Sequence, residues 1–335
     1  MFACLFDLRE SPSMDAPLSA PFPGSATWGD PITETLELTG ARCALSRGLT
    51  AAGAWALAFP APGRLKIQAV FEGALWLTIE GVEQPVRLEA GEVAVFAGDR
   101  RYTLASDPTV PPIDVLPLLR ASTQPFFHAG DEGQDTVTIG GHIELDTTAK
   151  DLLLGALPPL MHVSASTAEA PTACWLMDQT LRELASDRPG AAFAAGHLAQ
   201  LLFVQVLRTF LAEADAQAYP TGWLRALADE RIAPALRLMH GDPARPWTLA
   251  ELARATTMSR TSFAQRFRDV AGVPPLAYLC GWRMRLAQHT LRRADTPVSA
   301  IAFNLGYGSE SAFSTAFKRT TGLSPRAYRQ AARPM

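Results

Sequence analysis

The chain has 335 residues, 48% apolar and 19% charged, which supplies core material for two domains and excludes a disordered or fibrous chain. The net charge of −3 hides a split: residues 221–335 carry 17 Lys and Arg against 7 Asp and Glu, a net of +10, while residues 1–220 carry 13 against 26, a net of −13. That imbalance excludes the front half and nominates the back half for contact with a polyanion.

Residues 1–30 are rich in Pro and Ser without periodicity and are expected to be partly mobile. The opening "MFACLFDLRE" lacks a basic start and Asp7 interrupts its apolar run, so it does not read as a signal peptide. No apolar run approaches the roughly 18 residues that span a bilayer, which makes the cytoplasm the expected compartment and leaves no membrane partner. The cysteines Cys4, Cys43, Cys174 and Cys280 are scattered, so neither a disulfide framework nor a structural zinc site is expected.

Between about residues 31 and 148, short β-prone runs alternate with turns. "LKIQAVFEG" and "ALWLTIEG" each close on Gly, and "PVRLEAGEVAVFAG" places Val86 and Leu88, a turn, then Val93 and Val95. Such spacing predicts a small β-barrel or sandwich. Residues 149–220 change character. "CWLMDQTLRELASD" and "AAFAAGHLAQLLFVQVLRTFLAEADA" have helical spacing with "RPG" between them, which predicts an antiparallel helix pair. The second helix is apolar around much of its circumference from Leu198 to Leu211. It requires cover from the barrel, the tail or a second copy in a homodimer.

Residues 221–335 contain an internal repeat. "SRTSFAQRFRDVAGVPPLAY" from Ser259 aligns with "SESAFSTAFKRTTGLSPRAY" from Ser309, matching Phe263 with Phe313, Phe267 with Phe317, Gly272 with Gly322 and Pro275 with Pro325. Each matched position has a physical role. The serine accepts an orphan N–H at a helix start, and the phenylalanines four apart share one buried face. The glycine ends the helix left-handed, and the proline suits the first turn of the next. A short helix precedes each copy, in "TLAELARATTM" and "PVSAIAFNLGYG", so the unit is a helix-turn-helix present twice. With the phenylalanines inward, Thr261, Gln265 and Arg268 face outward, as do Ser311, Thr315 and Lys318. Short or amide hydrogen-bonders followed by a cation suit base edges with a phosphate beyond. Arg260 and Glu310 sit beside the caps. Between the units, Pro275–Asp295 reads as one helix of roughly 27 Å, able to hold two reading helices about one turn of DNA apart. Its Arg283, Arg285, Arg292 and Arg293 are placed either on phosphates or in solvent.

On these residues, the segment from about 225 to 332 resembles the AraC/XylS family of transcription regulators, with "GYGSESAFSTAFKRTTGLSPRAYR" similar to the signature around its second helix-turn-helix. The resemblance implies an α+β chain: a cupin-like β-barrel sensor, a helical connector, and an all-α domain with two helix-turn-helix units. The partners it implies are double-stranded DNA at a promoter, RNA polymerase and an unidentified small-molecule effector, with activation as the commoner outcome. Its base-reading positions fall on Arg260, Thr261 and Gln265, then on Glu310, Ser311 and Thr315. "VRLEAGEVAVFAGDRRYTLASD" is similar to the sensor domain of one subfamily.

A cupin-like barrel also raises a metal-dependent oxygenase or isomerase. The first histidine in the chain is His128, and Tyr102 stands where a cupin turn would offer a ligand, so no catalysis, metal or cofactor is expected. His128 and His142 read as isolated hydrogen-bonding residues. A sensor built on this barrel has an aromatic pocket expected around Trp55, Phe71 and Trp76. The alternative signal is an oxidant acting through Cys43, whose neighbours Arg42 and Arg47 would favour the thiolate.

Overall fold

The computed structural model describes residues 30–121, 124–146, 150–213 and 220–332. The N-terminal segment expected to be mobile, and Cys4 with it, lies outside the described residues apart from Asp30. There the chain enters α1 (Pro31–Thr39), with the Asp30 carboxylate accepting from Ile32 N at 3.1 Å.

Ten strands and two short helices follow: β1 (Arg42–Ala52), β2 (Ala56–Phe59), β3 (Leu65–Glu72), β4 (Ala74–Ile79), β5 (Val86–Glu89), β6 (Val93–Phe96), β7 (Tyr102–Ala105), β8 (Ile113–Asp114), α2 (Leu116–Ala121), β9 (Phe126–Gly130), β10 (Thr136–Glu144) and α3 (Lys150–Leu154). With β11 (Leu160–Val163) they form two sheets, β11-β6-β3-β10-β1-β9 and β5-β4-β7-β2-β8. The chain changes sheet at tight corners. Between β3 and β4 sits Gly73 at φ +69°, where an added Cβ would lie 2.0 Å from Asp135 O. The run from Val86 to Val95 is two strands of different sheets, because β5 pairs with β4 and β6 pairs with β3.

Two apolar layers result. Leu57, Val70, Leu75, Leu77, Leu88 and Phe96 fill the space between the sheets. The outer face of the six-stranded sheet carries Cys43, Leu65, Ile67, Val93, Val95 and Ile143, and it is covered by α4 (Ala170–Leu184) and α5 (Ala191–Glu213). This explains why β3 is buried along both faces from Leu65 to Val70. The stretch Ala191–Ala212 is long and apolar enough to cross a membrane by composition, contrary to the sequence expectation. Here Ala195, Ala199, Leu202, Phe203, Val206 and Leu207 are buried, most of them against the sheet and α4.

The back half is helical: α6 (Trp223–Ala228), α7 (Ala233–Gly241), α8 (Leu249–Ala255), α9 (Arg260–Ala271), α10 (Pro275–Arg293), α11 (Val298–Asn304), α12 (Glu310–Thr321) and α13 (Pro325–Ala332). The two copies of the repeat fold alike. Ser259 Oγ accepts from Ser262 N and Ser309 Oγ from Ala312 N, both at 3.1 Å, while Gly272 and Gly322 close their helices at φ +79° and +78°. All four phenylalanines are fully buried. Each second phenylalanine meets the tyrosine of the following helix edge-on, Phe267 with Tyr278 at 5.7 Å and Phe317 with Tyr328 at 5.4 Å.

The turns match as well. Thr257 (φ +53°) and Gly306 (φ +78°) are left-handed, each four residues after Ala253 or Ala302. The extra residue of the second turn falls beyond that point. Gly306 has a second reason to lack a side chain, since an added Cβ would lie 1.9 Å from Ala244 O in the loop between α7 and α8. Gly306→Ala should therefore lower unfolding stability by about 1–3 kcal/mol, read from urea denaturation. Thr257→Gly at the equivalent turn should not destabilise, because it relieves the same backbone conformation.

Candidate nucleic-acid interface

Helices α9 and α12 are amphipathic in the manner the phenylalanine spacing demands. Arg260, Thr261, Gln265 and Arg268 are exposed on α9, and Ser311, Thr315 and Lys318 on α12, with Glu310 half-buried. Among the described residues, Arg260, Arg268 and Lys318 make no ion pair or side-chain hydrogen bond, which leaves three cations available. Gln265 donates to Asp269 Oδ1 at 2.9 Å, and Thr315 Oγ1 donates back to Ser311 O at 3.0 Å. Both groups are held in weak surface contacts. Glu310 lies 3.8 Å from exposed Arg326, a surface pair of little strength.

One cation of α9 is held away from this face. Arg266 forms a 2.8 Å ion pair with Asp229, whose side chain is buried and also accepts from Arg231 N and Ile232 N. Asp229 thereby fixes α9 to the entrance of α7. Sequence reading missed this pair; the signal was a cation on the side of α9 nearer the phenylalanines.

Two arginines of α10, Arg283 and Arg292, are engaged with the protein, against the expectation that placed them on phosphates or in solvent, while Arg293 is exposed. Arg283 donates to Pro243 O at 2.6 Å and Arg245 O at 2.9 Å, and its guanidinium lies 5.8 Å from the Tyr307 ring centroid. It joins the loop of the first unit to the turn of the second. Arg292 pairs with Asp146, at the end of the barrel. Arg285 is half-buried, and desolvation pushes its guanidinium pKa down. The barrel thus docks on one side of α10 while the reading faces stay open.

A second polar link crosses that junction. His240 of α7, fully buried, contacts Glu34 of α1 at 2.7 Å and Tyr278 OH at 2.8 Å, and lies 4.0 Å from the Trp282 ring centroid. Burial lowers the His240 pKa while the Glu34 contact opposes that shift.

The barrel interior contains one ionic surprise. Lys66 alternates with Leu65 and Ile67 on β3, so it shares the intersheet side with Val70. It is buried, and its nearest polar contact is Ser46 Oγ at 3.3 Å. Among the described residues it has no carboxylate partner, and burial pushes the amine down to about 8. Gln68 beside it donates to Thr138 Oγ1 at 2.5 Å. The expected aromatic pocket does not converge. Trp55 and Trp76 line one groove, whereas Phe71 packs on the core beneath the helix pair. His128 spans Thr50 and Asp131, and His142 contacts Arg64 at 2.8 Å. Among the described residues, no group of three or more His, Cys, Asp or Glu could hold a metal ion.

Cys43 faces the helix pair, with its N–H donating to Gln200 Oε1 at 2.7 Å. Burial pushes its thiol up to about 12, and the cation acting on it is Lys66, not Arg42 or Arg47. Arg47 instead donates to Leu119 O and lies over Phe127. The expectation of an arginine-activated thiolate is corrected: Arg42 is adjacent on the strand and alternates to the opposite face, while the β1–β10 register shifts between Leu45 and Gly48, so Arg47 does not share the side of Cys43.

Two equivalent helix-turn-helix units on one helical rod, behind a two-sheet barrel, define a DNA-binding regulator with a cupin-type front domain. Comparison with known proteins reaches the same class: residues 30–212 match the cupin family and residues 252–331 the helix-turn-helix domain. The chain is 40% identical over 301 residues to a putative AraC-like transcription regulator of Streptomyces lividans, covering 90% of this chain and 98% of that protein. It is 31% identical over 292 residues to the transcriptional regulator AlkR of Acinetobacter baylyi, covering 83% and 92%. Among solved structures, the DNA-binding domain of AdpA in complex with a target DNA matches at 33% identity, 30% of this chain, 89% of that one and a TM-score of 0.29. The chain belongs to the AraC-like transcription regulators.

In the folded protein at about pH 8, Cys43 should resist iodoacetamide and react only after unfolding, read by peptide mass mapping. Rapid alkylation in the native state would restore the oxidant-sensing thiol.

Proposed function

We propose that this regulator reads its operator with Thr261, Gln265, Ser311 and Thr315, flanked by Arg260 and Glu310, while Arg268 and Lys318 contact phosphates. The observation that carries this reading is the duplicated exposed trio on two helices whose inward faces are locked by buried phenylalanine pairs. A rigid helix with an open polar face is the geometry that base readout in the major groove requires. Activation and contact with RNA polymerase are proposed from the family resemblance, and action in the cytoplasm from the absence of a signal-like start in the sequence.

The front domain is proposed to receive a small organic molecule, and the groove that Trp55, Trp76 and Arg87 line offers it an aromatic wall and a cation. The helix pair is proposed as a homodimer contact. Phe193 is 74% exposed, Trp175 57% and Leu201 55%, and Phe193, His197 and Leu201 follow one another at helical spacing on α5.

Gln265→Ala and Thr315→Ala should each weaken the preferred site by about 1–3 kcal/mol and leave random DNA nearly unchanged, measured by fluorescence anisotropy. Arg268→Ala should weaken both alike and reduce the salt slope by about 1. Equal losses on both DNAs in the first two variants would remove the readout assignment. Leu201→Glu should convert dimer to monomer in sedimentation velocity; an unchanged species would remove this face as the contact.

A further inference from the structure

The two helix-turn-helix units meet at an arginine that base reading does not use. Arg283, half-buried on α10, donates from Nε to Pro243 O at 2.6 Å, and from Nη2 to Ala244 O at 3.3 Å and Arg245 O at 2.9 Å. These carbonyls belong to the loop between α7 and α8. The same guanidinium lies 5.8 Å from the ring centroid of Tyr307, in the turn between α11 and α12. Both ends of this contact are themselves fixed. Asp242 holds the loop, accepting from Arg245 N at 3.1 Å and from Trp247 Nε1 at 2.9 Å, and the loop runs into Thr248, which caps α8. Tyr307 meets Phe313 of α12 edge-on at 5.5 Å, and its hydroxyl lies 3.7 Å from Cys280 Sγ on α10.

A helical rod sets how far apart two units lie along its axis, but not how each is turned about it. The buried residues of the two units belong to separate cores, with half-buried Leu286 touching both. Arg283 crosses from one unit to the other, beside the close approach of Gly306 to Ala244 O. Arginine suits this place, because its planar fork bonds several carbonyls at once while its face lies towards an aromatic ring. The repeat supplies no equivalent. With Leu252–Ala253 matched to Ile301–Ala302, position 283 corresponds to Pro234, so the arginine belongs to the joint and not to the repeated unit.

We infer that Arg283 is a positioning residue for DNA reading. By clamping the α7–α8 loop against the Tyr307 turn, it fixes how α9 and α12 are oriented about α10, and so restricts the spacing of the two operator segments that the chain accepts. That role rests on α9 and α12 each reading one groove segment; Arg283 itself acts through carbonyls and a ring and touches no base. One inserted base pair moves the second segment by roughly 3.4 Å and turns it by roughly 35°, which a clamped joint does not follow.

The test uses the full chain in fluorescence anisotropy on three duplexes: an operator selected from a random library, the same operator with one base pair inserted between its two halves, and random DNA. The parent should bind the selected operator at least about tenfold more tightly than the inserted one, and Arg283→Gln should narrow that ratio to about threefold or less. Arg283→Lys, which keeps the charge and loses the fork, should fall between them. Arg293→Gln, exposed further along α10, should leave the ratio at the parent value. If circular dichroism shows Arg283→Gln unfolded, Arg283→Lys carries the comparison. A parent indifferent to the insertion, or an unchanged ratio in the folded variants, overturns the inference. Equal weakening on all three duplexes with a lower salt slope also overturns it, because that assigns Arg283 to phosphates. Gln265→Ala and Thr315→Ala test base readout separately: their failure removes the readers, whereas an unchanged spacing ratio removes the clamp alone.

Discussion

The back half depends on the continuity of α10. Its first turns carry Tyr278, Leu279 and Trp282 into the core shared with the barrel, the helix pair and the first helix-turn-helix unit. Its later turns carry Met284, Ala287 and Leu291 into the separate core of the second unit. A regular helix has one rise and one twist per residue, so the two reading helices inherit a nearly fixed relation from this rod. Arg283 completes the constraint by bonding the first unit's loop at Pro243 and Arg245 while lying beside Tyr307 of the second.

The two copies of the repeat are alike in sequence and unlike in surroundings. Phe263 and Phe267 belong to a core that runs without a break into the front domain, whereas Phe313 and Phe317 close a small core of their own. The six-stranded sheet therefore meets the first unit through packed side chains, and the second through α10 and the contact of Gly306 with the loop at Ala244.

Polar contacts reinforce this asymmetry. Glu34 to His240 and Asp146 to Arg292 both tie the barrel side of the chain to the first unit and the rod. The corresponding histidines show the difference: His240 is tied to both Tyr278 and Glu34, whereas its counterpart His289, forty-nine residues on, makes no hydrogen bond to a carboxylate among the described residues. Burying His240 near Glu34 costs desolvation, and that cost is offset only while α1 stays docked. The front and back halves are thus joined by groups that make little sense apart.

Much of the fold was legible in the sequence because it depends on local grammar. Ser at a cap, Phe pairs four apart, Gly at a helix end and Pro at the next start determine each helix-turn-helix unit without reference to distant residues. Alternation in the β-prone runs determined strands, and the exposed trios followed from the helical period once the phenylalanines were set inward. The sequence alone could not assign partners to charges. Whether Arg266 faces DNA or Asp229, and whether Arg283 and Arg292 face phosphates or the protein, depends on which element packs alongside. The same limit misled the reading of Cys43: its strand neighbours are arginines, yet its environment is set by Gln200, Lys66 and the helix pair. Local periodicity decided which way each side chain points; only the tertiary structure decided what it meets, because those partners lie tens to hundreds of residues away.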